Sequence, residues 1–300
     1  MIQPPRLLPG NSIGILCPAG SIPMEKVTIC AQILESWGYQ VQVGKTVGTK
    51  FGHFSASDMD RQMELQSMMD DPEIHAILCA RGGYGLSRIV SGLDFNKFKA
   101  NPKWVIGFSD ITVLHAAIQK QGIQSIHGPM SAAFGKGDAG LPYIKALKSI
   151  LEGEALPIEA KPHAGNRFGS AKGQLVGGNL CLFTHLIGSK NQADTYGKIL
   201  CIEDVGEHHY NIDRMLIQCK NAGLLDGLAG LVVGGFTEMK DSSADFGETV
   251  IEIIQRLTAN TTYPICFDFP ISHDLENKPI QLGGNYQLSV TDQGTLLTKI

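Results

Sequence analysis

Trp104-Val105-Ile106-Gly107-Phe108-Ser109-Asp110-Ile111-Thr112, continued by Val113-Leu114-His115-Ala116-Ala117-Ile118, decides the fold of this chain. An apolar run of strand character passes through a glycine to a serine, and an amphipathic helix pattern starts directly behind it. Strand, tight corner and helix in so few residues make half of a βα unit, the repeating piece of an open, mostly parallel α/β sheet. Ser109 stands on the corner. A hydroxyl there lies beyond the carboxyl end of its strand, beside the first unbonded N–H groups of the helix, where an anion formed by its attack would be stabilised. Two readings follow for the residue: a presented nucleophile, or a serine that only caps the helix. The Gly-x-Ser-x-Gly elbow is incomplete, because Ile111 occupies the place of its second glycine.

The same alternation extends to both sides of this stretch. Ser12 to Cys17 reads as a strand entering Pro18-Ala19-Gly20-Ser21, and Met24 to Trp37 as a helix stopped by Gly38. Gln40 to Val43 is the next strand, and Ser57 to Asp71 a helix with acids in its first turn and Pro72 beyond its end. Ala76 to Ala80 opens into Arg81-Gly82-Gly83-Tyr84-Gly85, and Gln124 to His127 is a short strand ended by Gly128-Pro129. The first half is therefore expected to be an open, mostly parallel sheet of flavodoxin type with helices on both faces. In such sheets ligands bind beyond the carboxyl ends of the strands, where the Cys17-Pro18-Ala19-Gly20 loop, the Arg81-Gly82-Gly83 turn, Ser109 and His127 all fall.

A helix from about Gly140 to Leu151 leads into a Pro, Gly and polar stretch. We expect an N-terminal α/β domain over 1–155, a linker over 156–172 and a C-terminal domain over 173–300. Strands at Gln174-Val176, Ile199-Val205, Gly230-Phe236, Ile265-Phe269, Pro279-Leu282 and Gln287-Val290 are there separated by helices at Leu180-Ile187, Ile212-Leu225 and Glu248-Leu257. A mixed sheet or small barrel with helices packed outside fits that texture.

The chain has 300 residues, 43% hydrophobic and 18% charged, enough for about two domains with real cores. Its net charge of −4 gives no basic footprint for nucleic acid. No segment approaches the roughly 18 unbroken apolar residues of a membrane span, and Met1 to Arg6 has no secretory pattern. Seven cysteines without a Cys-x-x-Cys pair read as reduced core residues of a cytoplasmic protein.

A serine nucleophile needs a base within hydrogen-bond reach and a third group to fix that base. Among nine histidines, His273 is the best placed, just after the strand that ends at Phe269, against the plain alternative of a solvated turn residue. His208 and His209 adjoin each other but lack further ligands at workable spacing, so no metal site is expected. His115 reads as a packing or surface residue of the helix behind Ser109. The orienting carboxylate is expected from Ile199-Leu200-Cys201-Ile202-Glu203-Asp204, where alternation sends Glu203 and Asp204 to opposite faces and at most one into a given pocket. The glycine turn after Ala80 suits an oxyanion hole, with the N–H of Asp110 as its second donor, although tight helix packing explains those glycines almost as well. Arg81 and Tyr84 of that turn are candidate substrate contacts, Arg81 for a terminal carboxylate.

Taken in order with Leu175-Val176-Gly177-Gly178-Asn179-Leu180, these motifs resemble the LD-carboxypeptidase family, the serine peptidases that also include microcin C immunity hydrolases. The resemblance spans almost the whole chain. It implies Ser109 as nucleophile, His273 as general base and then acid, and Glu203 as the residue that orients the histidine. It further implies an oxyanion hole from the N–H groups of Asp110 and of Gly82 or Gly83, no cofactor, and a nucleophile and His–Glu pair carried by different domains. The implied enzyme is a cytoplasmic homodimer of murein recycling that removes the terminal D-alanine of a murein tetrapeptide, with neither nucleic acid nor membrane as partner. A peptidyl- or aminoacyl-nucleotide hydrolase of the microcin C type is the alternative. The short stretch from His163 to Lys172 and the lack of a second-half tryptophan speak against it, while Phe168 and Tyr210 keep it open. A third reading is a non-enzymatic binder of a small anion at Ser109 and the glycine turn, but that site would have no use for Glu203 and His273.

Overall fold

Apolar, β-branched runs of four to six residues build a parallel core in the computed structural model, which describes residues 1–154, 156–241 and 245–300. Its first sheet contains Ser12–Leu16 (β1), Gln40–Val43 (β2), Ile74–Cys79 (β3), Trp104–Gly107 (β4) and Ser125–His127 (β5), in the order β2-β1-β3-β4-β5. All four pairings are parallel, which is the flavodoxin-type order expected. The central strands β1, β3 and β4 are covered on both faces and so read as nearly unbroken apolar runs, whereas β2 lies at the edge and exposes Gln40, Gln42 and Val43. Ile13, Ile15, Ala76, Leu78, Trp104 and Ile106 form one core with helices Met24–Ser36 and Leu141–Leu151. Alternation turns Leu16, Ile77 and Val105 to the opposite face, on which helix Asp58–Asp70 buries Leu65, Met68 and Met69.

The second sheet contains Ile158–Ala160 (β6), Gly169–Asn179 (β7), Ile199–Val205 (β8), Gly230–Thr237 (β9), Ile265–Cys266 (β10), Asn285–Thr291 (β12) and Gly294–Lys299 (β13). Its order is β10-β9-β8-β7-β12-β13-β6. Pairings from β7 to β10 are parallel and those through β12, β13 and β6 antiparallel, so the sheet is mixed. Arg167, just before β7, exchanges two backbone hydrogen bonds of 2.9 and 3.1 Å with Ile265 of β10, which curls the parallel half toward a small barrel. Val176, Leu200, Ile202, Leu231 and Val233 form its core with Ile212 and Leu216 of helix His209–Asn221 and Ile253 and Ile254 of helix Val250–Leu257.

The structure departs from the sequence reading in three places. Residues 156–172, expected as a linker, supply β6 and the start of β7; β6 has only three residues and the start of β7 is largely exposed, so the stretch imitates a loop. Residue 155, at the expected boundary, lies outside the described residues. Ile280–Leu282 (β11), expected in the second half, pairs antiparallel with β5 and belongs to the first sheet. The chain accordingly divides into Met1–Ala155 with Lys278–Gly283, and Leu156–Asn277 with Gly284–Ile300. Gly294–Lys299, not expected as a strand, forms a hairpin with β12 because the short turn at Asp292 and Gln293 returns the chain in register.

Candidate active site

In the first unit, β4 ends at Gly107, Phe108 stays extended, and Ser109 then takes a φ of 64° before a short 3₁₀ turn leads into helix Thr112–Lys120. A non-glycine residue in that left-handed region costs about 1–2 kcal/mol, and such outliers concentrate at functional sites. Gly82 lies directly against the serine. A Cβ at position 82 would stand 2.9 Å from Ser109 Cβ and 3.2 Å from Ser109 Oγ, so only glycine lets the turn approach this closely. Asp110 is fully buried, and its Oδ2 accepts a 2.9 Å hydrogen bond from the Leu86 N–H, which ties the serine corner to the far end of the glycine turn. The Gly20 N–H donates to the Gly82 carbonyl (2.8 Å), and Arg81 Nη1 donates to the Ser21 carbonyl (2.7 Å). Arg81 thus helps brace the turn as well as standing in it. Tyr84 is exposed, its ring 6.0 Å from that of Phe54 and 6.4 Å from that of His53. Ser109, Asp110, Gly82, Gly83, Arg81 and Tyr84 are therefore gathered beyond the carboxyl ends of β3 and β4.

The second unit holds the other expected residues. β8 sends Glu203 to one face and Asp204 to the other, and Glu203, fully buried, accepts a 2.6 Å hydrogen bond from His273 Nδ1. The loop carrying His273 reaches it because Gly234 and Gly235, within β9, leave no side chain between the strand and the loop. The Gly235 N–H donates to the Ile271 carbonyl (2.9 Å), and a Cβ at Gly234 would run into that same carbonyl. Ser272 Oγ accepts from the Asp274 N–H (3.0 Å) and donates to the Glu276 carbonyl (3.1 Å), which sets the loop's shape. Burial pushes the His273 pKa down, but the Glu203 hydrogen bond and charge, with the charges of Asp204 and Asp274, outweigh it and hold the imidazole above its ordinary value.

Asp204 does different work from its neighbour. Its Oδ1 accepts from Asn179 Nδ2 (2.9 Å) and the Val205 N–H (2.8 Å), and its Oδ2 from the Cys181 N–H (2.9 Å) at the start of helix Leu180–His185. Burial pushes its pKa up to about 6, with the Asn179 and Val205 hydrogen bonds opposing. Asp204→Ala would leave all three donors without this acceptor. Urea denaturation is expected to show a loss of about 2–4 kcal/mol in unfolding free energy, while the molecules that stay folded keep turnover. An unchanged midpoint would mean that water replaces the carboxylate.

Three contributors escaped the sequence reading. The Gly-Gly pair inside the β9 pattern was visible as a strand interruption. Asn179 was visible as an N-cap, since its Oδ1 accepts from the Leu182 N–H (3.2 Å). His115 is fully buried, the packing alternative of its two readings, but its bond to the Gly107 carbonyl (2.9 Å) left no local signal.

A strained serine on a βα corner and an imidazole held by a buried carboxylate are the chemical parts of a serine hydrolase. The LD-carboxypeptidase N-terminal domain matches residues 13–128 and the LD-carboxypeptidase C-terminal domain residues 172–288. A probable murein peptide carboxypeptidase of Bacillus subtilis is 33% identical over 98% of this chain and 94% of its own length. The crystal structure of muramoyltetrapeptide carboxypeptidase from Oxalobacter formigenes is 28% identical, covers 96% of this chain and 98% of its own, and superposes with a TM-score of 0.86. The microcin C7 self immunity protein, 20% identical over 100% of this chain and 99% of its own, shares the fold with a TM-score of 0.88. The chain belongs to the LD-carboxypeptidase family and is a hydrolytic enzyme of carboxypeptidase type. Among the described residues no helix is long and apolar enough to cross a membrane.

Proposed function

We propose that this enzyme is a serine carboxypeptidase that removes the terminal D-alanine from a murein tetrapeptide, working in the cytoplasm as a homodimer. Ser109 is the nucleophile, His273 the general base and then acid, and Glu203 the group that orients the imidazole. The residues up to 155 supply the nucleophile and the C-terminal part the histidine and glutamate. The observation that carries the reading is the buried Glu203 carboxylate on His273 Nδ1 at 2.6 Å. That bond places the ring proton on Nδ1 and leaves Nε2 as the basic nitrogen. The names of the Bacillus subtilis and Oxalobacter formigenes relatives support the substrate.

In this mechanism Ser109 Oγ attacks the carbonyl carbon before D-alanine while His273 Nε2 takes the hydroxyl proton. The tetrahedral oxyanion is held by the N–H of Asp110 and that of Gly82 or Gly83. The C–N bond then breaks, His273 returns the proton to the amine of D-alanine, and an acyl-enzyme remains. Water, deprotonated by His273, attacks the ester, and the tripeptide carboxylate leaves as Ser109 regains its proton. Arg81 and Tyr84 contact the substrate.

Mass spectrometry of a murein tetrapeptide incubated with the enzyme tests the reading. Tripeptide and free D-alanine in equal amounts are expected. No release from folded enzyme, together with cleavage of a peptidyl-nucleotide, would move the assignment to the microcin C type of hydrolase.

A further inference from the structure

The carbonyl of Gly107, two residues before Ser109, accepts two hydrogen bonds. One comes from the Gly128 N–H at 3.2 Å, across the β4–β5 pair; the other comes from His115 Nε2 at 2.9 Å. His115 is the fourth residue of helix Thr112–Lys120 and has no exposed surface. A carbonyl oxygen only accepts, so the ring proton sits on Nε2 and the hydrogen bond fixes the tautomer. Burial pushes the pKa of the ring down to about 4, the Gly107 bond opposing, so it is neutral throughout the physiological range. Its Nδ1 is buried with no hydrogen-bond partner among the described residues.

That combination makes poor sense as packing. An imidazole buried with one nitrogen unsatisfied loses more hydration than its one hydrogen bond returns, and an apolar side chain at this position would do better. What the ring does that an apolar group cannot is hold one peptide plane. The left-handed φ of Ser109 costs energy that the backbone would shed by rotating the planes upstream of it, and the Gly107 carbonyl is the handle on those planes.

We propose that His115 is a positioning residue for the nucleophile: its Nε2–H pins the Gly107 carbonyl and thereby keeps Ser109 in its left-handed conformation with Oγ against Gly82. The inference rests on the reading of Ser109 as the nucleophile. It acts on placement of the attacking oxygen, so it enters kcat and leaves substrate affinity alone.

Two variants and one spectrum test it. His115→Phe keeps a planar ring without the donor, and His115→Gln sets an amide N–H where Nε2 stood. Displacements of about 1 Å at reacting atoms cost on the order of 100-fold, so His115→Phe is expected to lower kcat by about 10- to 100-fold with KM little changed. His115→Gln should restore most of that loss even if its melting temperature is no higher. In the 15N-detected imidazole spectrum of the wild type, the His115 ring should appear as the Nε2–H tautomer. Wild-type kcat in His115→Phe, a loss that follows melting temperature and is not restored by Gln, or an Nδ1–H tautomer would each overturn the proposal. Should His115→Phe fail to fold, the tautomer and the kcat of His115→Gln still decide. Ser109→Ala run alongside separates the two readings: full turnover there overturns both, whereas loss there with an intact His115→Phe overturns only this one.

Discussion

Ser109→Ala is expected to lower kcat for D-alanine release by about 10⁴- to 10⁶-fold, with the chain still folded and still binding tetrapeptide. Removing the oxygen removes the acyl-enzyme, and what survives is the turnover that oxyanion donors and substrate placement give a bound water. Stability should change little between serine and alanine, since both carry a Cβ into the φ of 64° held by this corner. Ser109→Gly should be equally inactive yet more stable than Ser109→Ala by about 1 kcal/mol, because glycine adopts that φ without penalty. Rates by mass spectrometry and midpoints by urea denaturation check both halves. A variant that keeps more than a few per cent of wild-type kcat would remove Ser109 from the chemistry. An alanine variant more stable than the glycine one would mean that the corner relaxes when the hydroxyl is gone.

Glu203→Gln should cost about 10³- to 10⁴-fold in kcat and also move the pH profile. In the wild type the base is active when neutral, so kcat/KM rises with pH through the His273 pKa, which lies above its ordinary value of 6.5. Burial alone would hold that pKa low; the Glu203 hydrogen bond and charge reverse it. With a neutral glutamine the burial remains and its principal compensation is gone, so the acid limb should shift to lower pH while the plateau falls. The same sign applies to stability. A base whose folded pKa is raised contributes stability that is present below its unfolded pKa and lost as pH rises through the folded one. Glu203→Gln should therefore lose more stability at pH 5 than at pH 9. A limb that stays in place would show that a group other than His273 titrates in it.

The parts of the site differ in how openly the residues declare them. The corner at Ser109 was legible because strand, serine and helix are contiguous, and the acids at the end of β8 were legible because an apolar strand seldom ends in two carboxylates. Which acid meets the histidine was not. Alternation separates Glu203 from Asp204 but does not say which face of β8 turns toward the loop of His273; that follows from Gly234 and Gly235 letting the loop lie on β9. The polar stretch at 156–172 misled for a related reason, since exposed strands lack the apolar period that marks buried ones.

By itself the sequence determined the alternation of strands and helices, the parallel class of the first sheet, the mixed character of the second, the positions of Ser109 and Glu203 at or near strand ends and that of His273 in a loop, although β10 stops at Cys266 rather than at the expected Phe269. Each of these rests on side-chain period and turn residues within about ten neighbours, the range over which local backbone preference acts. Tertiary structure alone decided the capture of Ile280–Leu282 by the first sheet, the left-handed φ of Ser109, the 2.6 Å bond between residues 70 apart in the chain and the bond from His115 to Gly107. Those are choices among partners that local pattern leaves equivalent, and they are settled by which pairing leaves the fewest buried polar groups without a partner once the cores have closed.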